Sequence, residues 1–252
     1  MSPGTGSGPP SMTTFLLLPG AGGHPGYWQR LVPELVDRGH RPVAVDLPQH
    51  DEGHGWTDLA DVALAALAAA TPPHDPPPVV VAQSMGAWTG GLVAGRVPVR
   101  LLVLLNPMIP VPGETGAAWW DATGHAAARD AAGLGPFDPV RDFFHDVPAD
   151  VAARVLAGED RAPSARSFAD PWPAGAWPDV PTVVLQGRDD RLFPPAFQRD
   201  VARDRLGLDV AEMAGGHLLA LSRPGELADR LVALAAPAPA APRAPTGRRG
   251  LS

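Results

Sequence analysis

The residue best suited to nucleophilic chemistry is a serine that directly follows a predicted strand. The segment PVVVAQSMGAWTGG, residues 78–91, has three valines, then Ser84, then residues compatible with a helix. A short apolar run bounded by turn residues predicts a strand buried on both faces. Because the chain must turn into a helix within about two residues, we expect Ser84 on a strained turn with its hydroxyl projecting. Ala82 and Gly86 are small, as a close approach of strand and helix requires.

A simpler interpretation of Ser84 is also open. A serine that follows a strand can act as the N-cap of the next helix, with its hydroxyl accepting a backbone N–H. The short pattern around Ser84 arises often enough by chance that it does not establish catalysis alone. Partner residues elsewhere in the chain must decide between the two interpretations.

Two further residues supply the groups that an activated serine needs. Acyl transfer requires a base, an acid that orients the base, and hydrogen-bond donors for the oxyanion. Asp190 follows the apolar run at 182–185, and His217 follows the short run at 210–213. If these runs are parallel strands, both residues and Ser84 lie at carboxyl strand ends, where such sheets bind ligands. The sequence therefore predicts a catalytic set of serine, aspartate and histidine.

The elements that would position these residues alternate between strands and helices. Short apolar, β-branched runs predict six strands, at 14–18, 42–45, 79–81, 101–105, 182–185 and 210–213. Helical patterns lie between and after them, at 27–38, 58–70, 85–96, from 194 onward and at 224–234. This alternation predicts right-handed βαβ units, and hence an α/β fold with a mainly parallel sheet.

The alternation breaks after the fourth predicted strand. Prolines, aromatic pairs and short Ala-rich segments replace it over a length too great for a loop in a compact domain, which predicts an inserted helical subdomain. The two ends of the chain are rich in small residues and proline, which predicts disorder. The expected organisation is disordered tails at 1–11 and 236–252, a core at 12–106 and 179–235, and a helical cap insertion at 107–178.

Composition excludes several other kinds of site. The 252 residues include no cysteine, and all 20 basic residues are arginine. Thiolate zinc sites, cysteine nucleophiles and Schiff-base lysines are therefore excluded. A net charge of −7 argues against nucleic-acid and anionic-membrane partners. No apolar run is long enough to span a bilayer and the N-terminus lacks the features of a signal peptide, so we expect a cytoplasmic protein.

These segments together resemble the α/β-hydrolase family over about residues 13–235. The matching segments are LLLPGAGG, VAVDLP, VVVAQSMG, VVLQGRDDRLFP and AGGHLLALSRP. The turn at Ser84 is similar to the family's nucleophile elbow, G-x-S-x-G, with Ala82 in place of the first glycine. The resemblance implies an α/β-hydrolase fold, in which helices flank a mainly parallel central sheet and a helical cap is inserted.

The resemblance also implies a role for each residue of the catalytic set. In the family the triad follows the chain order serine, acid, histidine, which here gives Ser84, Asp190 and His217. Residues 187–194 match the family segment G-x-x-D-x-x-x-P. That register favours Asp190 over its neighbour Asp189, which we expect to face solvent or to cap the loop.

Two backbone N–H groups are the oxyanion donors that the resemblance implies. One belongs to Met85, which follows the nucleophile, and the other to Ala21, in the loop after the first strand. Pro19 stands where many members have His-Gly, so a polar side chain behind this loop is missing. Trp119 and Trp120, in the expected cap, are assigned to substrate binding, although the packing of a small cap also explains such aromatic pairs.

The remaining histidines have simpler explanations. His24 follows the oxyanion loop and could contact substrate, although an exposed loop histidine is the simpler explanation and the one we favour. His50 and His54 lie near two acidic residues, but no predicted helix aligns them, so we expect no metal site. His125 and His145 are interpreted as surface or cap residues.

The resulting hypothesis is a serine hydrolase that needs neither metal nor cofactor. It would cleave a small or medium carboxylic ester, thioester or lactone through an acyl-enzyme on Ser84, as a monomer or homodimer. The plan is also similar to the methylesterase and hydroxynitrile lyase group, so an alternative is a cyclase, lyase or acyltransferase of natural-product metabolism. Lyases of that group rely on a lysine that this chain lacks. A third hypothesis, a non-catalytic ligand-binding protein, is weakened because all three residues of the set are present.

Overall fold

Six parallel strands form the centre of the fold. The computed structural model describes residues 12–158 and 161–236. The strands are β1 (Thr14–Leu18), β2 (Arg41–Ala44), β3 (Val79–Gln83), β4 (Leu101–Leu105), β5 (Thr182–Gly187) and β6 (Val210–Met213). They pair in the order β2-β1-β3-β4-β5-β6, and every pair is parallel. The predicted α/β class with a mainly parallel sheet is confirmed.

Eleven α-helices and one short 3-10 helix surround this sheet in the part of the chain that the structure describes. Those of the core are the 3-10 helix (Pro25–Trp28), α1 (Leu31–Asp37), α2 (Trp56–Ala70), α3 (Gly86–Ala94), α9 (Pro195–Leu206), α10 (Leu219–Ser222) and α11 (Pro224–Ala235). Those between β4 and β5 are α4 (Gly116–Ala122), α5 (His125–Ala131), α6 (Pro139–Phe143), α7 (Ala149–Leu156) and α8 (Ala165–Ala169). No described helix is both long and apolar enough to cross a membrane.

The central strands are largely apolar because helices cover both faces of the sheet. Leu16 and Leu18 of β1 pack in one core cluster with α2, α3 and α9. Phe15 and Leu17 point the other way, into a second cluster with α1 and α11. A strand covered on both sides gains burial from successive residues, which explains the continuous apolar runs of β1, β3 and β4.

Two helix starts differ from the sequence-based prediction. The helix predicted at 27–38 is divided into the 3-10 helix and α1, so Pro33 lies in the first turn of α1, where its missing N–H costs no intrahelical bond. Helix α2 begins at Trp56, two residues before the predicted start at 58, and its N-cap is Gly55. The N–H of Gly55 donates to the Asp58 carboxylate at 2.8 Å, which satisfies this end of the helix.

Tryptophan hydrogen bonds join parts of the insertion between β4 and β5 to one another and, through Trp172, to α3 of the core. Three tryptophan indoles of this region donate to backbone carbonyls: Trp119 to Ile109 at 2.7 Å, Trp172 to Trp88 at 3.0 Å and Trp177 to Pro110 at 3.0 Å. The domain limits at 107 and 178 stay a prediction. The predicted tails, 1–11 and 236–252, lie outside the described residues apart from Ala236.

Small residues around the β3–α3 turn are required by direct contacts. A Cβ at Gly86 would lie 2.5 Å from the carbonyl oxygen of Pro19, in the loop after β1. A Cβ at Gly90 would lie 2.6 Å from the Cβ of Ala82. Gly86 is therefore small because α3 begins against that loop, and Ala82 is small because Gly90 of α3 packs on it.

We expect Gly86→Ala to lower the free energy of unfolding by about 1–3 kcal/mol, because the added methyl forces the loop at Pro19 to move. Gly95→Ala is the matched control, since a Cβ there would have its nearest neighbour at 3.4 Å. Urea unfolding of both variants measures the difference. If Gly86→Ala is as stable as Gly95→Ala, the contact does not restrict this position.

Candidate active site

Ser84 occupies the sharp turn between β3 and α3. Its φ angle is +51°, in the left-handed region that residues other than glycine rarely adopt. Hydrogen bonds hold this conformation: the N–H of Ser84 donates to Leu105 at 3.0 Å, and its carbonyl accepts from Met108 at 3.0 Å. The N-cap of α3 is Met85, and no described side chain caps this helix, so the N-cap interpretation of Ser84 is not supported.

His217 and Asp190 form a buried pair beside this turn. Their Nδ1 and Oδ2 atoms are 2.7 Å apart, and both residues are at most 3% exposed. The other carboxylate oxygen of Asp190 accepts the N–H groups of Leu192 at 2.8 Å and Phe193 at 3.0 Å. Because Nδ1 of His217 faces the carboxylate, its Nε2 is the nitrogen left to accept a proton.

Ser84 and His217 line the same pocket, which has a volume of about 510 Å³. Among the described residues no hydrogen bond joins the Ser84 hydroxyl to His217. Catalytic hydrogen bonds are often long before substrate binds. The third member of the set, Asp190, reaches this pocket only through His217.

Asp189 and Asp190 have different surroundings. The Asp189 carboxylate accepts the N–H of Gly215 at 3.0 Å, in the loop that leads to His217. A Cβ at Gly187 would lie 2.3 Å from the carbonyl oxygen of Gly215, so this loop packs directly on the end of β5. Asp189 therefore caps the histidine loop, while Asp190 contacts the histidine ring itself.

Ala21 and Met85 carry the two backbone N–H groups that were predicted as oxyanion donors. Ala21 lines the pocket. The preceding residue, Gly20, packs against Ser84, because a Cβ added at Gly20 would lie 3.0 Å from the Ser84 Cβ. Met85 is the next residue after Ser84 and is almost fully buried. Within the described residues neither backbone N–H donates to another backbone carbonyl. Both groups are thus left for a ligand, as an oxyanion hole requires.

Sequence and structure comparisons identify the family of this chain and the solved structures that share its fold. The family described as the alpha/beta hydrolase family matches residues 15–230. The chain belongs to that family. No curated protein matches the sequence. The fold of this hydrolase is shared by solved structures that are only distantly similar in sequence.

Three of those structures illustrate the likeness. Polyneuridine aldehyde esterase has a TM-score of 0.73 at 19% identity, over 90% of this chain and 100% of its own. A pyrethroid hydrolase from Sphingobium faniae has a TM-score of 0.68 at 21% identity, over 89% and 98% of the two chains. A methylesterase from Arabidopsis has a TM-score of 0.67 at 17% identity, over 88% and 98%. Identities this low establish the fold alone.

Aromatic and aliphatic side chains form most of the hydrolase pocket. Phe143 and Phe144 of the insertion line it, together with Leu218, Leu221 and Tyr27 of the core. The Phe143 ring lies 5.2 Å from the His217 ring. Burial raises the pKa of the Tyr27 phenol well above its ordinary value, so this hydroxyl keeps its proton at neutral pH.

Trp119 and Trp120 lie outside the described lining of the Ser84 pocket. Trp119 is fully buried, and its ring packs 5.4 Å from Phe193 and 5.8 Å from Phe197. Trp120 packs on Phe193 at 6.1 Å. Neither tryptophan belongs to the described lining of the Ser84 pocket, so their position does not support the predicted contact with substrate. The aromatic pair that does line it is Phe143 and Phe144.

His125 has a structural role that the sequence did not reveal. It is buried, and its Nε2 lies 2.7 Å from the carbonyl oxygen of Leu192, two residues after Asp190. Arg129, one turn later in α5, donates to the carbonyl of Arg191 and to Asp142. Burial lowers the pKa of His125, which favours its neutral form. The insertion thus holds the loop that carries Asp190, and His125 is a buried residue of the insertion rather than a surface residue.

His24 and His50 also have defined partners. His24 lines the pocket, and its Nδ1 accepts the N–H of Gly26 at 2.8 Å. His50 receives a hydrogen bond from the Arg161 guanidinium. Among the described residues, no three His, Asp or Glu side chains are arranged to hold a metal ion.

Asn106 holds the candidate site together and was not identified from the sequence. It follows β4, is fully buried and has a φ of +43°. Its Nδ2 donates to the carbonyls of Gly216 at 3.2 Å and His217 at 2.8 Å, and its Oδ1 accepts the N–H of Gly187 at 2.8 Å. One amide therefore joins the ends of three segments: β4, β5 and the histidine loop. A polar residue directly after an all-apolar strand was the signal that could have identified it.

We expect Asn106→Ala to lower the free energy of unfolding by about 2–4 kcal/mol, because it removes three buried hydrogen bonds and leaves a strained backbone. Asn106→Gly removes the same hydrogen bonds, but glycine adopts a positive φ without strain. Comparing the two variants therefore separates the loss of hydrogen bonds from the backbone strain. Urea unfolding of both variants is the measurement. Wild-type stability in Asn106→Gly would show that the amide does not hold these segments together.

Proposed function

We propose that this alpha/beta hydrolase is a serine hydrolase that cleaves a small or medium carboxylic ester, thioester or lactone through an acyl-enzyme on Ser84. The observation that carries the proposal is the buried 2.7 Å contact between His217 and Asp190, in a pocket that Ser84 shares. This pair fixes the histidine tautomer and stabilises the imidazolium that forms when the serine loses its proton.

In the proposed first step, the Ser84 oxygen attacks the carbonyl carbon and its proton passes to Nε2 of His217. The negative charge that develops on the carbonyl oxygen is stabilised by the N–H groups of Ala21 and Met85. The tetrahedral intermediate then expels the alcohol, which takes the proton from Nε2. Breakage of this carbon–oxygen bond leaves the acyl group on Ser84.

In the second step, water attacks the acyl-enzyme and gives its proton to His217. Collapse of the new intermediate releases the carboxylic acid, and the proton returns to the Ser84 oxygen. The carboxylate of Asp190 stays ionised throughout and keeps the ring oriented. The step needs no group other than these side chains, two backbone amides and water.

The class of substrate is supported by the pocket and by the related structures. Phe143, Phe144, Leu218 and Leu221 give the cavity an apolar lining suited to an acyl or alcohol chain. Proteins of the same fold are named as an esterase, a pyrethroid hydrolase and a methylesterase. A small-molecule ester is the simplest substrate consistent with both.

Hydrolysis of para-nitrophenyl butyrate tests this assignment. We expect Ser84→Ala to abolish turnover and Asp190→Asn to lower kcat by about a thousandfold or more, since the amide favours the wrong histidine tautomer. Asp189→Asn is the matched control. An asparagine there can still accept the N–H of Gly215, so we expect a loss of less than about tenfold.

Unfolding curves recorded alongside establish that each variant is folded. Turnover at the wild-type rate by folded Ser84→Ala would contradict the proposed nucleophile. A loss in Asp189→Asn equal to that in Asp190→Asn would contradict the assignment of the acid.

A further inference from the structure

The Asp, Glu and Arg side chains in the described lining of the Ser84 pocket are all arginines. Arg154 and Arg161 line it, and the described lining contains no aspartate or glutamate. This is the reverse of the whole chain, whose net charge is −7. A cavity lined by cations in an acidic protein favours an anionic group on the ligand.

Arg154 is the side chain most available to such a group. It lies in the last turn of α7, and its side chain is 65% exposed. Its partner is Asp150, four residues earlier on the same helix, at 2.9 Å and with 69% of its side chain exposed. Exposed pairs of this kind contribute little, so a ligand carboxylate can replace Asp150 at small cost.

Arg161 contributes a cation with a defined position. Its side chain is only 10% exposed, and it contacts Asp46 at 2.7 Å. Its remaining guanidinium nitrogens point at Nδ1 of His50, at 3.3 Å and 3.0 Å. Because Asp46 and His50 occupy its donors, Arg161 is not available for a direct contact, which leaves Arg154 as the cation free to meet a ligand.

His24 contributes a hydrogen-bond donor to the same pocket. Its Nδ1 accepts the N–H of Gly26, so the proton of the neutral ring is on Nε2. A ring held in this tautomer presents an N–H to a ligand. A carboxylate is the group that accepts from both a guanidinium and an imidazole N–H.

We propose that the pocket takes esters that carry a carboxylate at a distance from the scissile carbonyl, with Arg154 as the direct partner of that carboxylate. The apolar lining from Phe143, Phe144 and Val155 accommodates the hydrocarbon chain between the two groups. This inference rests on the proposed function, since it concerns substrate choice at the same site.

The test compares two esters of equal chain length, para-nitrophenyl hydrogen suberate and para-nitrophenyl octanoate. We expect wild type to have the higher kcat/KM for the suberate ester. Arg154→Gln should lower the suberate-to-octanoate ratio of kcat/KM by about five- to tenfold, because one charged hydrogen bond is lost. Arg154→Lys keeps the charge and should retain most of the ratio.

Arg203→Gln is the matched control. Arg203 forms a similar exposed pair with Asp200 on α9, outside the pocket, so its loss should leave the ratio at the wild-type value. Raising the ionic strength from about 0.05 M to about 0.5 M should also reduce the ratio in wild type, because salt screens exposed charges. An equal ratio in wild type and Arg154→Gln would overturn the inference.

A binding measurement separates this inference from the proposed function. If octanoate ester is hydrolysed but suberate ester is not preferred, the function stands and the inference fails. If neither ester is hydrolysed, the function fails, and calorimetry with suberate on Ser84→Ala decides the inference. The same measurement is made on the double variant Ser84→Ala, Arg154→Gln. If suberate binds Ser84→Ala more tightly than it binds the double variant, the anion site is supported; equal affinity overturns it.

Discussion

The left-handed turn at Ser84 is the constraint on which the candidate site depends. A φ of +51° is unfavourable for serine, so the surrounding structure must hold it. The support comes from both sides: β4 accepts the serine N–H through Leu105, and the loop after β1 packs against the start of α3 at Gly86. These contacts place Ser84 in the wall of the pocket, next to the loop that carries Ala21.

Asn106 extends the same arrangement to the other two residues of the set. It has a second left-handed conformation, one strand away from Ser84, and its amide reaches both β5 and the histidine loop. The insertion then completes the site from outside the sheet. His125 holds the loop that carries Asp190, and Phe143 lies against the ring of His217. The sheet therefore positions the reacting groups, while the insertion buries them and forms the pocket wall.

The sequence predicted the sheet and the three residues of the catalytic set because both follow from local patterns. Apolar runs such as 101–105 define buried strands, and polar residues that follow them define the ligand-binding edge. Asn106 and His125 were not identified because their roles depend on partners far away in the chain, at Gly216 and Leu192. Trp119 and Trp120 were assigned to substrate binding from their position in the expected cap, which does not show which face of a short helix meets the core.

The most direct test of Ser84 as an activated nucleophile is intact-mass analysis of wild type and Ser84→Ala after treatment with a small fluorophosphonate. This reagent reacts with serines that have been activated by a neighbouring base. If His217 and Asp190 activate Ser84, we expect one adduct on wild type and none on the folded variant. No adduct on folded wild type, or an adduct that persists in Ser84→Ala, would contradict the claim that His217 and Asp190 activate Ser84.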